Sequence, residues 1–177
     1  TLSYTLSLHD ALPISAAVRT LSDAASSDLV QILAGFDKAS PLAANYLRNA
    51  VETVADRHLA TGKSLPAKQL EAFVQKRSND PRARRLAFEV LSKVDATAGD
   101  RLIPTMLLDP SPEFRRDAVQ RLVTEAELLG KDSTDQAKQV YRKALSGATD
   151  SDLVKKISKS LKELGDEVNL VSHFGFL

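Results

Sequence analysis

The chain has no cysteine and no tryptophan, and its seven glycines are all isolated within 177 residues. The first absence excludes thiol catalysis, disulfides and cysteine metal sites. Isolated glycines exclude a glycine-rich loop that cradles phosphate. Charge of one sign is also missing. The formal net charge is +1, so nothing draws the whole chain toward nucleic acid or an anionic membrane, and such a function would need a local patch. Long apolar runs are absent too: the longest, Leu102 to Leu108, is broken by Pro104 and Thr105 and falls far short of the roughly 20 residues that span a bilayer. No predicted helix carries paired histidines, or a histidine and a carboxylate, at metal-ligand spacing. Aromatic residues make up only 5%, which leaves few platforms for stacking bases. No catalytic group, metal or cofactor is expected.

What is present is a helix opening used four times. Ser40–Pro41, Asp80–Pro81, Ser111–Pro112 and Asp150–Ser151 each offer a side-chain oxygen able to cap free amides, followed in three cases by proline at the first helical position. Three residues beyond the cap stand Ala43, Ala83, Phe114 and Leu153. Seven beyond stand Leu47, Ala87, Ala118 and Ile157, and eleven beyond stand Val51, Leu91, Leu122 and Leu161. These offsets share one face of a 3.6-residue helix. The caps are spaced by 40, 31 and 39 residues, so one unit recurs with insertions in its connections.

The punctuation predicts helices over Ala16–Ala25, Asp28–Ala39, Pro41–Ala60, Pro66–Arg77, Pro81–Asp95, Asp100–Leu108, Pro112–Leu129, Thr134–Ser146 and Ser151–Leu164. Gly62, Gly130, Gly147 and Gly165 stand where four of them should stop. Ser133-x-x-Gln136 reads as a capping box. No stretch alternates apolar and polar residues long enough for a strand. Paired in order from Asp28, the helices make four hairpins. A chain of this length buries roughly 70% of its unfolded surface, enough for a core without staples.

The segment from Asp109 to Leu122 resembles the HEAT-repeat family in its short bacterial form, and Asn79 to Leu91 is similar to a second copy. The resemblance extends over residues 28–165, with the outer units matching less well. It implies a right-handed α-solenoid of about four antiparallel hairpins. It also implies a ladder between repeats, built from a turn aspartate and an arginine six residues later. Asp109 and Arg115 fit that pattern, whereas the second copy keeps Arg84 but has Ser78 at the aspartate position. Pro104 is similar to the proline that kinks the first helix of such units, although a proline near a helix start is equally ordinary.

Arg84 and Arg115 also stand out without the family. Arg115 falls on the wheel among Phe114, Ala118, Leu122 and Ala126, and Arg84 beside Phe88 and Leu91, each at the edge of an apolar arc. A guanidinium there must find carboxylate or carbonyl acceptors. Arg84, Asp109 and Arg115 are therefore expected to form a structural repeat clamp, the competing role being contact with a ligand. Arg82, Arg85, Arg116 and Arg121 point away from the packed arcs and could form a basic stripe, the candidate interaction surface. His58 lies on the stripe of Leu47, Val51 and Val54 and is expected to be a packing residue. The acid pairs Asp150 with Asp152 and Asp132 with Asp135 are accounted for by capping and the helix dipole.

The two ends lack this grammar. Tyr4 to Ser15 resembles the translation of a short-read sequencing-library adapter, so residues 1–15 are expected to lie outside the fold, and His9 and Asp10 are assigned to no site. The natural start is then expected to be missing, which leaves the compartment open. Residues 167–177 read as a linker or the entry into a following domain, the alternative being a tail packed on the last helix. The chain is thus expected to be an interior fragment. The expected function is a scaffold without chemistry of its own, bound to a protein or a neighbouring domain, with no membrane and no small-molecule ligand. Two alternatives remain: a nucleic-acid-binding module resembling the HEAT-like DNA glycosylases, and a regulatory or lyase-associated HEAT module.

Overall fold

The computed structural model describes residues 23–130 and 133–175. Residues 1–15, most of the helix expected over Ala16–Ala25, Asp132, Phe176 and Leu177 lie outside the described residues. All regular structure among the described residues is helical. They divide into two compact units, one ending at Gly99 and the other starting at Asp100.

In the first unit, a 3-10 turn over Ser26–Asp28 leads into α1 (Leu29–Ala34), followed by α2 (Pro41–Ala60), α3 (Ala67–Gln75) and α4 (Pro81–Ser92). Two helix starts are capped as the sequence predicts. The Ser40 hydroxyl accepts from the Ala43 amide at 3.2 Å, and the Asp80 carboxylate accepts from the amides of Arg82 and Ala83 at 2.8 and 3.3 Å. Helix α1 packs on α2, α3 packs on α4, and α2 packs on α4. The core holds Leu29 and Leu33 of α1, Val51 and Val54 of α2, Leu70 and Val74 of α3, and Leu86 and Leu91 of α4.

Three ends in this unit fall short of expectation, the least being the helix predicted over Pro66–Arg77, which stops at Gln75. The helix predicted to Ala39 stops at Ala34, where the amides of Gly35, Phe36 and Asp37 turn back to carbonyls three residues earlier. That turn buries Phe36, and Lys38 then adopts a positive φ of 58°, a conformation that ends helical propagation. The helix predicted to Asp95 stops at Ser92, and the Asp95 carboxylate instead accepts from the Thr97 amide at 2.9 Å.

Helix α5 (Ala98–Leu102) contains the boundary between the units. The single helix expected over Asp100–Leu108 is broken: α5 ends at Leu102, and a 3-10 turn covers Ile103–Met106. Pro104 has no amide hydrogen to donate and its ring crowds the carbonyl four residues back, so the α-helical ladder cannot run through it.

The second unit continues with α6 (Pro112–Leu129), α7 (Thr134–Gly147), α8 (Ser151–Glu163) and α9 (Leu170–Phe174). Helix α6 packs on the 3-10 turn, on α7 and on α8, and α7 packs on α8. One cluster joins Val119, Val123 and Ala126 of α6, Tyr141 and Leu145 of α7, and Leu153, Ile157 and Leu161 of α8. Val168 and Leu170 pack partly against it, while Val171 and Phe174 remain exposed.

Most residues at the repeated offsets are buried; Ala43 and Leu122 are the two held at intermediate exposure. Other capping expectations are corrected. Neither Ser133 nor Ser111 nor Asp150 caps its helix through the side chain, so the Ser133-x-x-Gln136 box does not form. Gly62, Gly130 and Gly165 take positive φ as helix stops should, but Gly147 does not. It is the last residue of α7, and a Cβ there would lie 2.6 Å from the Leu107 carbonyl oxygen and collide with the Leu107 side chain. Gly147 is required by close approach, a tertiary condition with no local signature.

Candidate interaction surface

The three residues expected to clamp repeats all sit at the starts of second helices or in the turn before one. Arg84 is almost wholly buried, and its Nε donates to the Val74 carbonyl at 2.7 Å, tying the first turn of α4 to the last turn of α3. In the second unit the Arg115 Nε donates to the Asp109 carbonyl at 3.0 Å, in the turn just before its own helix. Asp109 is buried, and its carboxylate accepts from the Ser111 amide at 2.9 Å. An Asx turn therefore takes over the entry to α6 that sequence reading gave to the Ser111 hydroxyl. Every buried side-chain nitrogen and oxygen among the described residues has a hydrogen-bond partner. Burying the Arg84 guanidinium is tolerable for that reason.

The four arginines of the candidate surface each face a carboxylate. Arg82 pairs with Asp80 at 2.9 Å, and the same guanidinium reaches the Phe36 and Ala39 carbonyls at 3.5 and 3.4 Å and lies 6.0 Å from the Phe36 ring centroid. It joins the start of α4 to the turn between α1 and α2, a linking role the sequence did not assign to it. Burial is the largest influence on the Asp80 carboxyl and raises its pKa. Hydrogen bonds from the Arg82 side chain and from the Ala83 and Arg82 amides outweigh it, leaving the pKa below the usual value. Arg85 pairs with Glu89 at 3.3 Å and lies 5.6 Å from the Phe88 ring centroid. Arg121 pairs with Asp100 at 2.8 Å.

Arg116 is held most fully. It donates to the two carboxylate oxygens of Asp152 at 3.1 and 2.7 Å and pairs with Asp150 at 2.9 Å. The hydrogen bonds from Arg116 pull the Asp152 carboxyl down to about 2, and those to Asp152 and then Asp150 raise the guanidinium. The acid pair at the start of α8 thus serves the neighbouring helix α6, not only the α8 dipole.

Ion pairs also run between the second helices within each unit. Arg48 of α2 meets Glu89 of α4 at 3.2 Å, and Asp56 meets Lys93 just beyond α4 at 2.7 Å. In the second unit, Lys156 of α8 meets Glu127 of α6 at 2.8 Å. Among the described residues, each of the four arginines of the candidate surface has a carboxylate partner.

His58 is buried, with Nδ1 2.8 Å from the Val54 carbonyl and Nε2 accepting from the Ser26 amide at 3.3 Å. The packing role expected for it holds, but the link to Ser26 spans 32 residues and had no sequence signal. Sequence reading also passed over Leu128 and Leu108, large apolar side chains that remain 84% and 62% exposed. No cluster of three potential ligands able to hold a metal occurs among the described residues, and no helix there is long and apolar enough to cross a membrane. Comparisons with protein-family models, curated proteins and solved structures find no match to this chain.

Proposed function

We propose that the chain is a non-catalytic interaction module, a HEAT-like right-handed α-solenoid of about four antiparallel hairpins whose second helices present the surface for a protein or a neighbouring domain. The observation that carries this reading is the sense of the ion pairs between second helices. Along α2 and α4, Arg48 goes with Glu89 and Asp56 with Lys93, so residue numbers rise together. Along α6 and α8, Arg116 goes with Asp152 and Glu127 with Lys156, and again they rise together. A shared sense between second helices, each joined to its first helix by a short connection, is what stacked hairpins require.

The charge arrangement favours a protein over a nucleic acid. Phosphate recognition draws its affinity from cations free to replace counterions. Arg82, Arg85, Arg116 and Arg121 already have carboxylate partners. Photo-crosslinkers placed at Arg85 and Arg121 on second helices, and at Lys68 and Gln139 on first helices, test the reading. Crosslinks to a protein should concentrate at the second-helix positions. An even distribution overturns the assigned face, and tight binding of duplex DNA at physiological salt overturns the choice of partner.

A further inference from the structure

We infer, on the reading that second helices form the contact surface, that the outer side of α8 docks an acidic amphipathic helix of a protein partner. Lys155, Lys156, Lys159 and Lys162 all lie exposed on this helix. At 3.6 residues per turn, Lys155, Lys159 and Lys162 stand at i, i+4 and i+7 and form one row about 10 Å long. Lys156 stands apart from the row and reaches toward α6, meeting Glu127 at 2.8 Å. The buried stripe of Leu153, Ile157 and Leu161 takes a different side of the helix, so the row has no part in holding α8 on its core. Its charges are loosely held. Lys155 makes no ion pair or hydrogen bond among the described residues, Lys159 comes only to 3.8 Å from Glu163, and Lys162 meets Glu167 at 2.8 Å. The helix dipole accounts for Lys162 in the last turn of α8. It does not account for Lys155 in the second turn.

Apolar surface adjoins the row. The pair of Lys162 with Glu167 brings the stretch leading into α9 beside one end of it, and α9 leaves Val171 and Phe174 exposed, three residues apart. Cations next to uncovered apolar side chains suit a partner that offers carboxylates along the edge of an apolar stripe. An extended anionic surface suits them less. Duplex DNA or an acidic bilayer would cover Glu163 and Glu167, both exposed among the lysines, and press like charges together. A single helix can set carboxylates at i, i+4 and i+7 against the row and leave those two glutamates in water. The molecule already uses this device, since Glu127 of α6 and Lys156 of α8 pair across neighbouring helices.

Titration of the full chain with a synthetic helix carrying glutamates at i, i+4 and i+7 beside a leucine stripe, followed by NMR, tests the site. The amides of Lys155, Lys159 and Lys162 should shift. Lys155→Glu combined with Lys159→Glu should weaken binding by about tenfold or more, with helical circular dichroism unchanged, and a peptide with lysines in place of its glutamates should restore binding to that variant. Should the double variant not fold, a peptide with glutamines in place of glutamates decides on the native chain: lost binding supports the site, and undiminished binding overturns it. The inference is also overturned if the native chain does not bind the acidic peptide, if the double reversal changes nothing, or if duplex DNA or phosphatidylserine vesicles bind the row more tightly. Shifts centred on Arg85 and Arg121 overturn it and leave second helices as the contact surface. Shifts centred on Lys68 and Gln139 of the first helices overturn both.

Discussion

The two units use the same helix opening for different ends. In the first, Ser40 and Asp80 turn their side chains onto the free amides of their own helices. In the second, Ser111 and Asp150 occupy the same positions, yet the Asp109 carboxylate takes the Ser111 amide and Asp150 is turned toward Arg116. The arginine after the cap behaves alike in both, since Arg84 and Arg115 each bind a carbonyl of the preceding segment through Nε. An oxygen followed by proline marks where a helix begins, because proline sets φ and needs no amide partner there. Where the oxygen points is decided by what packs nearby.

The largest effect that can break this comparison is at equivalent core positions. Leu91 in the first unit is fully buried, whereas Leu122, at the same offset in the second, is only partly buried at the edge of its cluster. Leu91→Ala should cost about 2–5 kcal/mol, and Leu122→Ala below about 2 kcal/mol. Chemical denaturation of both variants measures the difference. Equal losses would mean that the repeat position, and not its local burial, sets the energy.

Next come two glycines, one from each unit, for which opposite signs are expected. A Cβ at Gly147 would collide with the Leu107 carbonyl and side chain. At Gly99 it would meet only the Phe88 ring at 3.9 Å, an ordinary contact. Gly147→Ala should destabilise by about 1–3 kcal/mol through overpacking, and Gly99→Ala should stabilise by about 0.4–1 kcal/mol by restricting the unfolded chain. The thermal midpoint should fall in the first variant and rise in the second.

Acid should separate the units as well. The second contains three carboxyls held low chiefly by a hydrogen-bonded cation: Asp152 at about 2 beside Arg116, Asp166 beside Arg142 and Glu167 beside Lys162. In the first, burial raises the Asp80 carboxyl, but hydrogen bonds from the Arg82 side chain and from the Ala83 and Arg82 amides outweigh it and leave the carboxyl low. A carboxyl with a lowered folded-state pKa binds its proton more readily when unfolded, so its contribution is complete above the ordinary value and is lost as pH falls through the folded one. For Asp152 that window runs from 3.8 down to about 2. Amides near the start of α8 should lose protection progressively across that window, and Asp152→Asn should flatten the change.

Helix starts were legible in the sequence, and ends much less so. Ser40, Asp80 and the prolines act locally, and the apolar offsets reappear as the buried faces of α2, α4, α6 and α8. The helix ending at Ala34 was overestimated because a buried Phe36 and a positive-φ Lys38 carry no warning in composition. Pro104 was noticed, but whether it kinks or breaks a helix depends on the turn around it. Arg84 and Arg115 were singled out by their edge positions on apolar arcs, and each donates to a backbone carbonyl. Arg82 was placed on the surface stripe, and its carbonyl partners Phe36 and Ala39 lie more than 40 residues away, beyond any local pattern. Gly147 and the Ser26 contact of His58 fail to show for the same reason.

The smallest effect concerns the arginines themselves, and it sharpens what the surface is for. Arg116 is exposed and makes three short contacts to two aspartates, which invites the idea that it staples α6 to α8. Exposed pairs gain little, because water screens them and the side chains lose freedom. Arg85 pairs with one glutamate but also lies over the Phe88 ring, and its side chain is only 26% exposed. Arg116→Ala should therefore shift the thermal midpoint by less than about 2 °C, and Arg85→Ala should cost somewhat more because it uncovers Phe88. Repeating the melts in high salt should erase most of the Arg116 effect and leave most of the Arg85 effect. If Arg116→Ala proves the more damaging, the fork to Asp150 and Asp152 is a structural joint between α6 and α8. If it is nearly silent, the same three residues are available to a partner without loss to the fold, which is the property an interaction surface requires.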